Sequence, residues 1–321
     1  MFSSISGAAV LAPADYRCSD DAEMTYSLAG IGELLWDIFP SGKELGGAPA
    51  NFAYQATALG GEGLIVSCVG SDNPGDEILA RLEALSLSRQ YVARDRAHPT
   101  GTVSIKVGAA GNPSFTIQEN VAWDFIPQSQ PLMELGKSIN AVTFGTLAQR
   151  SEVSRATIRA FIRKIPSSVL CIFDINLRQA FYSREIIEWS LEACHVLKLN
   201  TEELPVLARL LSMEGDERRL LSALSRRFHL KLVALTMGAG GSLLYSQERI
   251  YAHDGYKIDV VDTVGSGDAF TAALALGMLS GSDLATINDY ANRVASFVCS
   301  KRGATPPLPD DLEITRWLNS R

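Results

Sequence analysis

Val169-Leu170-Cys171-Ile172-Phe173-Asp174 is an unbroken apolar run that ends on a carboxylate. A run of this kind is expected for a strand covered on both faces, because neither face alternates toward water. Helical patterns flank it, at residues 151–164 and 184–193. The same alternation extends along the chain, with strands predicted at 27–31, 64–69, 141–144, 196–199 and 232–235. Further helices are predicted at 49–59, 76–85, 216–228, 268–280 and 284–299. Strands alternating with helices in this way predict an α/β fold, a mostly parallel sheet with helices on both faces. Residues 102–107 and 114–118 depart from the pattern. They alternate polar and apolar, and Gly108-Ala109-Ala110-Gly111-Asn112-Pro113 joins them, so they read as a half-exposed hairpin flap.

The remaining composition is that of a globular protein. Of 321 residues, 46% are hydrophobic and 20% charged, with 26 Gly and 13 Pro, which excludes disordered, collagenous and disulfide-stapled classes. The length accommodates two domains, or one α/β unit with a small accessory piece. Lys and Arg number 29 against 36 Asp and Glu, a net charge of −7 that disfavours nucleic acid and anionic membrane as partners. An anionic ligand must therefore be held by local groups. The five cysteines (Cys18, Cys68, Cys171, Cys194, Cys299) form no C-x-x-C pair and read as free thiols in a reducing cytosol. Four histidines without i, i+4 spacing argue against zinc. No Lys or Arg precedes Arg17, and no apolar run approaches the roughly 20 residues of a membrane span, so a cytoplasmic protein is expected. Residues 1–24 lack periodicity and read as an extension.

The chemistry is concentrated in Asp262-Thr263-Val264-Gly265-Ser266-Gly267-Asp268-Ala269-Phe270. Residues 258–261 read as a strand leading into it, and a helix of small residues begins at Asp268. Glycines let amides turn inward, and the helix start adds its positive dipole end, which together make an anion hole for a phosphoryl group. Asp268 would be repelled by a phosphate, so its use there is to accept a proton; taken alone it reads equally as an N-cap. A second segment, Gly46-Gly47-Ala48-Pro49-Ala50-Asn51-Phe52-Ala53, combines permissive glycines, a proline at a helix start and an amide suited to sugar hydroxyls.

These two segments, in this order, resemble the two signatures of the ribokinase/fructokinase (PfkB-type) carbohydrate kinases, in a fructokinase-like form. The resemblance covers nearly the whole chain. It implies a ribokinase-like kinase domain over residues 25–321, with a small β lid inserted from about 33–46 and 98–123. It also implies Asp268 as general base, with Gly265, Ser266 and Gly267 as anion hole. In Gly32-Glu33-Leu34-Leu35-Trp36-Asp37, Asp37 is similar to the family's sugar-binding carboxylate, joined by Gly46, Gly47 and Asn51. Asp174-Ile175-Asn176-Leu177-Arg178 resembles the D-x-N-x-R run of fructokinases and ketodeoxygluconate kinases. Arg178 there faces an acidic substrate, faces the nucleotide, or pairs with Asp174.

Asn200-Thr201-Glu202-Glu203 matches the N-x-x-E motif, which implies Asn200 at the nucleotide and Glu203 organising Mg²⁺ through water. The turn Thr236-Met237-Gly238-Ala239-Gly240-Gly241 resembles the one that meets the nucleotide, with Thr236, Gly238 and Gly241 as contacts; the alternative is a simple turn between strands. Asn292 is similar to the residue beside adenine. Asp262 and the carbonyls of Val264, Val298 and Gly303 would surround a monovalent cation, K⁺ in this family. Where ribokinase-like members place a Ser, this chain has Pro306-Pro307. The implied reaction transfers the γ-phosphate of ATP, with Mg²⁺, to a primary hydroxyl of a small neutral sugar. Fructose comes first, ahead of 2-keto-3-deoxygluconate, and a catalytically silent sugar- or nucleotide-binding regulator is the alternative of a different class. A homodimer through the lid is expected.

Overall fold

The computed structural model describes residues 25–107 and 113–319; the extension 1–24 and the hairpin turn at 108–112 lie outside the described residues. Thirteen strands form: β1 (Ser27–Ile31), β2 (Leu35–Phe39), β3 (Gly42–Gly46), β4 (Glu62–Gly70), β5 (Val92–Asp95), β6 (Gly101–Val107), β7 (Pro113–Ile117), β8 (Ala141–Phe144), β9 (Leu170–Asp174), β10 (Val196–Asn200), β11 (Leu232–Thr236), β12 (Ser242–Ser246) and β13 (Arg249–His253). The helices are α1 (Ala48–Ala58), α2 (Asn73–Ala84), α3 (Gln130–Leu135), α4 (Glu152–Lys164), α5 (Arg184–Ala193), α6 (Glu203–Leu210), α7 (Glu217–Phe228), α8 (Ser266–Leu279), α9 (Leu284–Cys299) and α10 (Ile314–Asn319).

The unbroken apolar runs become the centre of a nine-stranded sheet of order β13-β12-β11-β10-β9-β8-β1-β4-β5. Its pairings from β11 through β5 are parallel, and β12 and β13 close one edge antiparallel. Alternation along β9 shows why such runs are apolar throughout. Cys171 and Phe173 pack with α4, α5 and α7, while Leu170 and Ile172 pack with α1, α8 and α9. Asp174 continues the second series, and Lys198 follows Val196 on the same face of β10. Both ionisable side chains thereby point at the start of α8.

A separate sheet of order β3-β2-β6-β7 adds two strands to the predicted hairpin, from the segment 33–46 named with it. Trp36 and Leu45 root it in a cluster with Tyr54 of α1 and Ile78 of α2. The Trp36 indole N–H also donates to the Pro74 carbonyl, 3.0 Å. Its other foot is Thr100, whose N–H donates to Asp72 at the cap of α2, 2.9 Å.

One sequence expectation fails here: residues 258–261 form no strand. Val260 and Val261 are 60% and 62% exposed, and no neighbouring strand is in reach. The Val261 and Asp262 amides donate instead to the Cys299 carbonyl at the end of α9. Among the described residues no helix is long and apolar enough to cross a membrane. Cys68, Cys171 and Cys194 are buried free thiols, and burial pushes Cys68 and Cys171 up to about 12.

Candidate active site

Parallel strands leave their C-terminal ends along one edge, the place where ligands bind in such sheets. Phe144, Asp174, Asn200 and Thr236 end β8, β9, β10 and β11 there, and α8 starts above them. Gly265 precedes α8 with φ 76°, left-handed backbone that glycine adopts freely, and a Cβ there would overlap Ala304. No side chain caps this helix start; the Ser266 amide turns back to the Thr263 carbonyl at 3.3 Å, and the next two, of Gly267 and Asp268, are left for an anion. Asp268 is therefore not the N-cap. Its carboxylate turns into a cavity that Glu33, Pro49, Phe52, Phe144 and Asp174 also line.

Burial raises Asp268 to about 7, and the like charge of Asp174 adds to the rise. The Asn51 side-chain N–H donates to Asp268 Oδ2 at 2.8 Å, and Lys198 and Arg178 draw the value down. Asn51 stands in the first turn of α1. Gly47 before it has φ 114°, and a Cβ there would overlap the Glu33 carbonyl. The oxygen of the same amide, Asn51 Oδ1, is buried without a partner.

A lysine that sequence reasoning missed completes the floor. Lys198 Nζ lies 3.1 Å from Asp174 Oδ1, and Thr271 donates its hydroxyl to Asp174 Oδ2 at 2.9 Å. A Cβ on Gly267 would sit 2.8 Å from that ammonium, so the cation lies directly against the glycine of the anion hole. Burial pulls Lys198 down, but Asp174, Glu203 and Asp268 outweigh it and hold it charged. The available signal was a charged residue inside the apolar run Val196-Leu197-Lys198-Leu199.

Asp37 reaches the same region from β2. Burial first, and then Glu44 opposite it on β3, raise it to about 6, while Arg178 lowers it. A Cβ at Gly46 would overlap the Asp37 carboxylate, which explains that glycine. Arg178 acts on Glu33, Asp37 and Asp268 together. It does not pair with Asp174, which Lys198 and Thr271 occupy.

Several predicted positions also have structural work. Asn200 Oδ1 accepts from the Glu202 and Glu203 amides, both 2.9 Å. Glu203 returns the bond by accepting from Asn200 N at 2.8 Å and from Leu177 N at 2.9 Å. The N-x-x-E run is thus a reciprocal cap at the start of α6, and both Glu203 oxygens are engaged. Asn292, expected beside adenine, donates its Nδ2 to Ser242 Oγ and the Asn288 carbonyl, both 2.7 Å, which ties α9 to β12. The Thr236 turn does join two strands, β11 and β12, with Gly238 and Gly241 at φ 56° and 80°.

The tentative cation donors hold two loops to each other. Asp262 accepts from Val264 N and Gly303 N, each 3.0 Å, and the Val298 carbonyl accepts from Lys301 N in the last turn around α9. The Asp262 carboxylate and the Val298 carbonyl thus already accept hydrogen bonds, and Pro306-Pro307 supply no side-chain hydroxyl. The structure thus brings Asp37, Gly46, Gly47, Asn51, Arg178, Gly265, Ser266, Gly267 and Asp268 to one region, with Asn200 and the Thr236 turn beside it along the strand ends.

This arrangement can hold a polyol by carboxylate and amide, hold an anion on open amides, and take a proton between the two. Known proteins agree with it. Residues 33–311 match the family model described as pfkB family carbohydrate kinase. A protein of Pyrococcus horikoshii described as an uncharacterized sugar kinase is 30% identical over 305 residues, spanning 89% of this chain and 94% of that one. Its ATP-bound crystal structure superimposes with a TM-score of 0.75 over 87% of this chain and 94% of that chain. The fructokinase of Escherichia coli is 28% identical, covering 87% of this chain and 95% of its own length. A fructokinase from Vibrio cholerae with fructose, ADP and potassium ion bound is 25% identical, with a TM-score of 0.75 over 90% and 97% of the two chains. On sequence and on structure alike, the chain belongs to the pfkB family of carbohydrate kinases.

Proposed function

We propose that this chain phosphorylates a small neutral sugar with ATP, fructose being the first candidate. The observation that carries this reading is Asp268, a buried carboxylate raised to about 7, set by Asn51 at the open start of α8. A base whose value lies near neutral pH takes a proton most effectively there. The sugar lies against Asp37, Gly46, Gly47 and Asn51, with one primary hydroxyl beside Asp268. ATP lies along the Thr236 turn, its terminal phosphate over the amides of Gly265 to Gly267. The hydroxyl oxygen attacks phosphorus in line as its proton passes to Asp268. The bond to the bridging oxygen breaks, and ADP leaves with that electron pair. Lys198, against Gly267, offsets the charge that builds on the phosphoryl oxygens.

Magnesium, carried on the phosphates, supplies further charge neutralisation. Among the described residues no group of three or more His, Cys, Asp or Glu side chains is placed to hold an ion by itself, and no step runs through one. Asp37 favours a neutral substrate: it competes for Arg178 with any substrate carboxylate. In the same reading the four-stranded sheet is the lid that excludes water, and its edge strands β3 and β7 offer the contact for a homodimer. Buried thiols suit a cytoplasmic location.

ADP release measured with fructose, ketodeoxygluconate, ribose and adenosine tests the reading. Turnover highest with fructose is expected. Preference for ketodeoxygluconate would shift the assignment to a sugar-acid kinase with Arg178 on the carboxylate, and binding without turnover would make the chain a regulator.

A further inference from the structure

The loop after β9, which presents Arg178, is held in a conformation its residues disfavour. Asn176 and Gln179 have φ of 42° and 49°, left-handed backbone at two non-glycine positions only three residues apart. Such residues persist where the surroundings over-determine them. Three ties are local: Thr146 Oγ1 donates to the Ile175 carbonyl (2.8 Å), Leu177 N to Glu203 Oε1 (2.9 Å) and Phe181 N to the Arg178 carbonyl (3.0 Å).

The fourth tie comes from Arg150, in the turn Leu147–Arg150 after β8. Its guanidinium carbon lies 4.6 Å from the Phe181 ring centre and 4.1 Å from that of Trp123, so the planar group is held between two aromatic faces. Nε and Nη2 fork onto the two oxygens of Asp124, each 2.8 Å, and Nη2 also donates to the Gln118 carbonyl. The two side chains are 7% and 4% exposed. Nη1 is buried without an acceptor, so hydrogen bonds alone do not offset the burial of this cation.

Gln118, Trp123 and Asp124 lie just beyond β7, on the segment leaving the four-stranded sheet, the last two in a 3-10 turn over Ala122–Phe125. That leg is fastened to the entering one. Gln118 N donates to the Thr102 carbonyl (3.1 Å), Ala122 N to the Pro99 carbonyl (2.8 Å), and His98 stacks on Phe125 with ring centres 3.6 Å apart. Arg150 is thus the point where both legs of the sheet meet the Arg178 loop.

We propose that Arg150 is a positioning residue that locks the strained Arg178 loop, through Phe181, to the legs of the four-stranded sheet, so that the two sugar-facing parts of the site keep one geometry. The sugar-facing role of Arg178 and the sheet rests on the function proposed above; the lock itself does not. Arg150→Lys tests it, because it keeps a cation for Asp124 but loses the fork and the flat face. Phe181→Leu removes the same contact from the other side and serves where Arg150→Lys fails to fold.

In the ligand-free protein, amide hydrogen exchange at Leu177 and Phe181 is expected to quicken by roughly tenfold or more in both variants, with β9 amides unchanged. With fructose, KM is expected to rise about fivefold or more, with kcat and the KM for ATP held within about twofold. In an Arg178→Ala background Arg150→Lys should add nothing further, as coupled residues behave. Unchanged exchange at Leu177 and Phe181 overturns the lock, as do effects on KM that multiply in the double variant. A wild-type chain that turns over no sugar refutes the kinase reading instead, and the exchange measurement still decides the lock.

Discussion

The phosphate side of the cavity and its sugar side are supported differently. Gly265 to Asp268 stand at the head of α8, whose residues Ala269 to Gly277 are all buried between α1, α9 and the main sheet. Asp37 stands on β2 of the four-stranded sheet, beside a β3 whose Gly42, Lys43 and Glu44 are exposed. One side is set by the core, where a shift of any group must move the packing around it. The other is an accessory layer fastened to the core at its feet, through Trp36, Leu45 and Thr100. In the proposed reading, chemistry resides on the first side and acceptor recognition on the second.

Changes on the two sides should separate accordingly. Asp268→Asn is expected to lower kcat at least ~10²-fold, the scale of a lost general base, with both KM values little altered. Steady-state kinetics that show the loss in sugar KM instead would break the division. Gly265→Ala comes next. It strains a left-handed residue and drives a Cβ into Ala304, so kcat should fall on the order of tenfold to a hundredfold through a displaced anion hole, with sugar KM preserved. Asp37→Asn should do the reverse, raising sugar KM about tenfold while leaving ATP KM unchanged, as expected for one weakened charge-assisted bond.

The smallest effect is on pH dependence. Asp268 works as a base only when ionised, so kcat/KM should rise with pH and level off above about 7. Burial sets most of that value and the Asp174 charge adds to it, so Asp174→Asn should move the rise to lower pH. A profile that does not move would detach Asp174 from the base.

Much of this division was legible in the sequence, for reasons that differ by region. Apolar runs such as 141–144 and 169–174 are unambiguous because burial on both faces demands them. Gly47 and Gly265 stand out because only glycine is comfortable at their φ values. The misreadings arise where one pattern serves two ends. Residues 258–261 are as apolar as a strand, but pairing is decided by distant neighbours that a local pattern does not contain. Asn200 and Glu203 have the spacing of a capping box as well as that of an ion site, and the reciprocal bonds of the first are visible in the fold. Lys198 and Arg150 escaped notice because each acts through partners far away in sequence, Asp174 with Thr271 and Asp124 with Phe181.

The single amide of Asn51 joins the two sides, its nitrogen on Asp268 and its oxygen buried with no donor in reach. An orphaned acceptor of this kind raises the free energy of the empty protein by about 1–3 kcal/mol, a penalty relieved when a hydroxyl arrives. If the sugar meets Asn51 as proposed, a deoxygenated analogue missing that hydroxyl would leave the oxygen stranded and be turned away by what it lacks.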